Sequence, residues 1–337
     1  MSSSTACTVH RRFAGTKVSD SDPEPSFFGE DPQLTAAQVA ELAGLPLEKA
    51  RRLWRTLGFP EQGDQRAYTH ADVAALRLIV DLIGDGVVDY DVALNVTRGV
   101  GLTMARLADW EVSELVHHVS DAFVEETAGP GGDPTSWVME RFGARFEEFL
   151  VYAWRRHVTA AVVRMQSVRA IDSDPHTTDL SVGFADIVGF TALSNEVTRE
   201  RIGELVDIFE ARCGDVINRE KGRMIKSMGD AVLFVNDDPM AAFATAEGII
   251  NVIGRDPRMP DVRVGLATGG VVLRLGDVFG PPVNLAARLT QVARRNRIIV
   301  DQATADLLPA DQIEARPLPP RPVRGFGVVE PVAVRRA

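Results

Sequence analysis

The sequence predicts two folds in series, an all-α first half and an α/β second half, and two observations carry that prediction. The stretch Ala128-Gly129-Pro130-Gly131-Gly132-Asp133-Pro134 breaks the chain with residues that disfavour continued helix. Beyond Asp172-Ser173-Asp174-Pro175 the apolar spacing changes from helical steps to short apolar runs that alternate with helical segments. The length of 337 residues agrees, being more than one ordinary core organises.

Taken in order, Met1 to about Asp31 is rich in Ser, Asp and Pro with few clustered apolar residues, and residues 1–31 are expected to form a disordered tail. Thr35 is placed to cap a helix from Ala36 to Ala43; Gly44 ends it, and Leu47 to Leu57 forms a second, giving a helix-turn-helix outline. Further helices are expected over Thr69 to Ile83, Asp89 to Val100 and Met104 to Phe123, closing a helical domain near Glu126. Thr135 then caps a long helix whose apolar positions run Trp137, Phe142, Phe146, Leu150, Trp154, Val158, Val162 and Met165. In the second half, strands are expected at Leu180 to Ile187, Val262 to Thr268 and Arg297 to Val300, with a hairpin from Gly222 to Val235 around Gly229-Asp230. Helices are expected at Arg199 to Glu220, Pro239 to Gly254 and Val283 to Arg294. The domains implied are a tail (1–31), a helical domain (32–134), a connecting helix and linker (135–174) and an α/β domain (175–337).

Hydrophobic content of 45% beside 25% charged residues is that of a soluble globular protein. A net charge of −10 argues against broad attraction to nucleic acid or anionic lipid. Cys7 and Cys213 are the only cysteines, so there is no disulfide framework, and both are expected to be free thiols. No run of about twenty apolar residues occurs, since even Val73 to Ile83 is interrupted by Arg77 and Asp81. The N-terminus lacks the charged-then-apolar order of a signal peptide, and a cytoplasmic location without a membrane span is expected.

Two segments carry the chemistry. Phe184-Ala185-Asp186-Ile187-Val188-Gly189-Phe190-Thr191 and Lys226-Ser227-Met228-Gly229-Asp230-Ala231-Val232 each place one carboxylate at the end of an apolar run with glycine nearby. That is how two strands present acids toward a shared divalent metal, and it points to phosphoryl chemistry. Either aspartate alone reads as a turn residue, and Lys226 alone as a solvated strand residue. A third segment, Gly276-Asp277-Val278-Phe279-Gly280-Pro281-Pro282-Val283-Asn284-Leu285-Ala286-Ala287-Arg288-Leu289, places Asn284 and Arg288 four apart on one helical face.

Together these segments resemble the class III nucleotide cyclases, specifically the adenylate cyclases, over roughly the last half of the chain. The resemblance implies a ferredoxin-like sheet covered by helices, similar to a polymerase palm. It implies conversion of ATP to 3′,5′-cyclic AMP and pyrophosphate, with two Mg²⁺ or Mn²⁺ ions held by Asp186, Asp230 and the backbone carbonyl of Ile187. Lys226 and Asp277 would select the base, since a donor and an acceptor complement N1 and N6 of adenine while guanine presents the reverse polarity. Guanylate cyclases of the family usually carry Glu and Cys there. By the same resemblance Asn284 orients the ribose and Arg288 stabilises charge on the α-phosphate, the steps from Asp277 to Asn284 and on to Arg288 matching the family. Arg263 aligns with an arginine that contacts the terminal phosphates, Ala267 stands where members often have His, and Arg324 is a candidate for a further phosphate contact. Gly189, Gly229 and Gly280 let backbone approach the triphosphate or turn tightly.

Because the family's site lies between two catalytic domains and this chain holds both sets of residues, the resemblance implies a head-to-tail homodimer with two shared sites. The first half and the long helix look like the regulatory domain of soluble bacterial cyclases released by acid, with a lipid or proton effector; His157 on that helix is the candidate titrating group. Competing readings are a silent nucleotide-binding regulator, a guanylate cyclase, and a DNA-binding regulator. For the last, Thr35 to Leu57 resembles a MerR-like motif with Arg51, Arg52 and Arg55, but Glu41 and Glu48 share the segment, and a helix pair used for protein packing, without nucleic acid, is preferred.

Overall fold

The computed structural model describes residues 30–127, 134–169 and 177–337. The tail before Glu30, the Gly/Pro break and the Asp172-to-Pro175 linker lie outside these described residues. The chain divides into two compact units, Met1–Arg156 and His157–Ala337.

In the first unit, α1 (Ala36–Ala43) starts at a capping box between Thr35 and Gln38, and Gly44 ends it at φ 72°. The second helix, α2 (Leu47–Leu57), presents Ala50, Leu53 and Trp54 to the core. Next, α3 (His70–Gly84) opens with a capping box of Thr69 and Asp72. Two long helices follow, α4 (Tyr90–Thr127) and α5 (Pro134–Arg169), of which α5 continues past Arg156 into the second unit's part of the chain. Val39, Ala40, Ala50, Leu53, Trp54, Tyr68, Val73, Leu76 and Leu94 form one buried cluster, within which Trp54 stacks on Tyr68 at 4.5 Å.

The expected break between Val100 and Met104 is absent: α4 runs unbroken through Gly99 and Gly101. The reason is packing. A Cβ at Gly101 would lie 2.5 Å from the carbonyl oxygen of Leu57, so the glycine is where α2 comes against α4 and not where the helix stops. The basic residues of α2 are engaged within the same unit: Lys49 and Arg52 lie over the Tyr90 ring, Arg51 pairs with Glu48 and Arg55 with Glu61. Among the described residues no helix is long and apolar enough to cross a membrane.

The second unit runs β1 (Thr177–Ile187), α6 (Phe190–Leu193), α7 (Arg199–Arg219), β2 (Arg223–Ser227), β3 (Ala231–Asn236), α8 (Pro239–Gly254), β4 (Val262–Arg274), β5 (Asp277–Phe279), α9 (Pro281–Val292), β6 (Ile298–Val300), α10 (Gln302–Leu307), β7 (Ile313–Pro317), β8 (Arg321–Val323), β9 (Gly327–Val329) and β10 (Val332–Arg336). The main sheet has the order β2-β3-β1-β4-β6-β10-β7, with β5 on β4. Its pairs are antiparallel except β4 with β6. The succession β1-α7-β2-β3-α8-β4 in the order β2-β3-β1-β4 is the ferredoxin-like arrangement that the resemblance implied.

Period-two alternation divides the core into two layers. Ala185, Ile187, Val232, Phe234, Val264 and Leu266 pack with α7 and α8 through Phe209, Val216, Phe243 and Ile249. Leu180, Val182, Leu233, Val235 and Val271 pack on the other face with Ala286 and Leu289 of α9. Free Cys213 lies in the first layer, and burial pushes its thiol pKa up.

Several boundaries depart from expectation. Helix α5 begins at Pro134, so Thr135 lies in its first turn and is not its cap, and β1 begins at Thr177, before Leu180. Strands β5, β7, β8, β9 and β10 have no counterpart among the expected ones. Strand β4 continues past Gly269 and Gly270 to Arg274, held throughout by pairing with β1 as far as Thr177 opposite Val272. Helix α9 begins at Pro281, because proline lacks only an amide that the first turn leaves unpaired.

Candidate active site

The end of β1 and the β2–β3 turn build the first group. Asp186 lies opposite Ala231 of β3 and Arg263 of β4, so register alone brings β3 and β4 to its two sides. The Ile187 amide donates to the Asp230 carbonyl at 2.9 Å, and the Met228 amide donates to the Ala231 carbonyl, closing the turn against the strand end. Gly229 within that turn has φ 76°, a conformation glycine adopts without strain. The Ile187 side chain is buried in the core, leaving its backbone carbonyl as the part that can serve an ion.

Arg263 donates from Nε to Asp186 Oδ2 at 2.6 Å, and its Nη2 lies 2.5 Å from the same oxygen. Burial pushes the Asp186 carboxyl above its ordinary range, Arg263 pulls it part of the way back, and the neighbouring Asp230 charge adds to the rise. A metal site can be tested on these facts. Two carboxylates close enough to sense each other, with a backbone carbonyl, are hard oxygen donors that suit Mg²⁺ or Mn²⁺. Asp186, partly buried with the Asp230 charge beside it, is an anionic oxygen donor of the kind a dication pairs with. Among the described residues no cluster of three or more His, Cys, Asp or Glu side chains is arranged for metal.

Lys226 and Asp277 form the second group. They are 51 residues apart in sequence, yet Nζ of Lys226 donates to Oδ2 of Asp277 at 2.6 Å. What brings them together is β5: Val278 is buried in one cluster with Leu180, Val182, Leu233 and Val235. The Val278 amide also donates to Oδ1 of Asp277. Burial alone would raise the Asp277 pKa, but the Lys226 hydrogen bond, that amide and the lysine charge together hold it below the ordinary value.

The third group lies on α9. Asn284 is exposed and Arg288, one turn on, is half-buried with Nη1 donating to Gln291 at 3.3 Å. Sequence reasoning missed what seats this helix. A Cβ at Gly265 would lie 2.4 Å from the Ala286 carbonyl oxygen and from the Thr290 amide, and Thr290 Oγ1 donates to the Phe184 carbonyl at 3.3 Å. A lone glycine inside an apolar strand was the available signal for such close approach. Ser227, beside Lys226, has a buried hydroxyl with no hydrogen-bond partner among the described residues.

Of the other candidates, Gly189 caps α6 at φ 74° and Gly280 caps α9 at φ 142°. Arg324 is exposed in the turn between β8 and β9. His157 is exposed on α5, and among the described residues nothing hydrogen-bonds or ion-pairs with it.

Residues 173–334 match the family described as "Adenylate and Guanylate cyclase catalytic domain". The chain is 37% identical to an adenylate cyclase of Streptomyces coelicolor, the match covering 93% of this chain and 88% of that protein. It is 35% identical to an adenylate cyclase of Streptomyces griseus over 99% of this chain and 94% of that one. A pH-sensitive adenylate cyclase of Mycobacterium tuberculosis is 28% identical over 90% of this chain and 78% of its own length. Among solved structures, the adenylyl cyclase CyaB from P. aeruginosa is 23% identical with a TM-score of 0.44, covering 48% of this chain and 95% of that one.

Proposed function

This chain belongs to the bacterial class III adenylate cyclases, and on that premise we propose how its residues carry out the reaction. The observation that supports the proposal is the Lys226–Asp277 pair, a donor and an acceptor 2.6 Å apart whose polarities complement N1 and N6 of adenine. Lys226 donates to N1 and Asp277 accepts from the N6 amine, so ATP is preferred over GTP.

Asn284 orients the ribose so that its 3′ oxygen lies in line with the α-phosphorus. As that oxygen bonds to phosphorus and the bond to the pyrophosphate oxygen breaks, the fixed charge of Arg288 faces the negative charge that builds on the α-phosphate. The 3′ hydroxyl proton leaves to solvent. Asp186, Asp230 and the Ile187 carbonyl would hold two Mg²⁺ or Mn²⁺ ions, which supply a lowered 3′ hydroxyl pKa and neutralisation of the leaving pyrophosphate. The guanidinium of Arg263, on the strand beside Asp186, is the protein's contact to the terminal phosphates.

The catalytic unit acts as a homodimer with two shared sites, and the helical unit regulates it through α5. For His157 as the regulatory residue, the support is its place on α5 at the division between the two units. The decisive assay supplies ATP or GTP with Mg²⁺ or Mn²⁺ to the full chain and separates the products by chromatography. Cyclic AMP and pyrophosphate are expected from ATP, with loss of roughly a hundredfold or more in Asp230→Asn, as expected when transition-state charge stabilisation is removed. Undiminished turnover by that variant would exclude Asp230 from the metal site.

A further inference from the structure

The contact between Arg263 and Asp186 does more than fill a gap. Both Nε and Nη2 converge on Oδ2, and the two residues are direct cross-strand partners on β1 and β4. Backbone register therefore sets this pair, unlike a surface ion pair between flexible side chains. The Asp186 side chain is only 17% exposed and that of Arg263 28%, so solvent screens the attraction poorly. We propose that Arg263 is a gate on Asp186: without nucleotide it occupies the carboxylate, and a triphosphate frees the carboxylate by drawing the guanidinium onto itself. The inference rests on the reading of Asp186 as a metal ligand.

A dication bound to Oδ2 and a guanidinium bound to the same oxygen compete for its lone pairs and repel each other. Without a cation beside it, Asp186 would be a poorly solvated carboxylate, its side chain 17% exposed, with a second acid on the β2–β3 turn that closes against the end of its strand, so the nucleotide-free chain gains by keeping Arg263 in place. Metal alone must then displace an existing partner. A triphosphate changes the balance, because a guanidinium fork pairs with phosphate oxygens as well as with a carboxylate. Once Arg263 has moved to phosphate, Asp186 is open to metal. Nucleotide and metal thus favour each other's binding, and by linkage the coupling is equal in both directions. Arg263 here is a positioning residue for the metal site, distinct from its contact to substrate.

The test is Mn²⁺ binding to the full chain, read as loss of the free-ion electron paramagnetic resonance signal, with and without 3′-deoxy-ATP, which cannot cyclise, the loss caused by the nucleotide without protein being subtracted. The wild type should bind Mn²⁺ weakly alone and more tightly with the nucleotide. Arg263→Met should bind Mn²⁺ alone at least about tenfold tighter than wild type, within the ordinary range of coupling between sites, and should gain less from nucleotide. If Arg263→Met binds Mn²⁺ alone no tighter than wild type, the gate is overturned. Asp186→Asn separates this failure from failure of the metal reading: Mn²⁺ binding indifferent to Asp186→Asn removes the metal site itself. Should Arg263→Met unfold, Arg263→Lys keeps the charge with a single prong, and the gate then requires intermediate tightening; equality with wild type would overturn it. Thermal unfolding with and without Mn²⁺ supplies an independent reading, the gain from metal being larger in Arg263→Met than in wild type.

Discussion

Lys226 and Asp277 satisfy each other when no base is present, so binding adenine exchanges one polar contact for two aimed at the ring edge. Removing either partner leaves a polar group facing the base without its complement, a loss of roughly 1–3 kcal/mol. Lys226→Glu with Asp277→Cys should therefore lower kcat/KM for ATP by at least about tenfold and erode the preference over GTP, measured as the ratio of the two values. An unchanged ratio would refute base selection by this pair. A second residue-scale prediction concerns Asp256, whose carboxylate accepts from Arg258 and Arg212. The Arg258 hydrogen bonds foremost, with Arg212, hold its pKa well below the ordinary 3.8. A depressed folded pKa contributes stability that is present above 3.8 and lost as pH falls through the lowered value. The difference in Tm between wild type and Asp256→Asn should be largest near neutrality and shrink steadily below about pH 4; a constant gap would show that the charge is not the source. At this scale the motif spacings made Asp186, Asp230, Lys226, Asp277, Asn284 and Arg288 legible as candidates. The Arg263–Asp186 bond was not, because it depends on the β1–β4 register between residues 77 apart in sequence.

At the scale of elements, local signals placed the Thr35 cap and the strands β1, β2, β3, β4 and β6, and failed for the short strands β5 and β7 to β10 and where tertiary contact overrode them. Gly101 read as a breaker because sequence shows its weak helix propensity, whereas the Leu57 backbone that requires a missing Cβ is far along the chain. The strand β4 was cut short at Gly269-Gly270 for the same reason, its continuation being enforced by β1. The Gly101 argument makes a contrast available. In Gly101→Ala the new methyl must push α2 away from α4, and overpacking of this kind costs about 1–3 kcal/mol, more than the roughly 1 kcal/mol of helix propensity that alanine restores. Gly84, at the end of α3, has open space where a Cβ would go. Circular dichroism at 222 nm during heating should show a lowered first transition for Gly101→Ala and an unchanged or raised one for Gly84→Ala. Equal behaviour of the two variants would mean that Gly101 is not a packing contact.

At the scale of the whole molecule, the two compact units part at Arg156 and His157, within α5, where neither the Gly/Pro break nor the change of periodicity lies; the ferredoxin-like order followed from family resemblance, since no local pattern could have supplied strand order. The three groups of the candidate site each have internal partners: Asp186 with Arg263, Lys226 with Asp277, and Arg288 with Gln291. In a head-to-tail dimer one protomer gives Asp186 and Asp230 while its partner gives the base, ribose and α-phosphate contacts, so each interface site can be broken from either side. Asp230→Asn and Asn284→Ala should each be nearly inactive alone. Mixed in equal amounts with exchange of subunits, they should recover roughly a quarter of wild-type activity, since half the dimers are mixed and each of these keeps one complete site of two. Recovery should rise with total protein concentration if the dimer dissociates, because association is what assembles the site. Should mixing restore nothing while mass analysis shows that subunits have exchanged, both sets of residues act within one chain and the shared site is wrong.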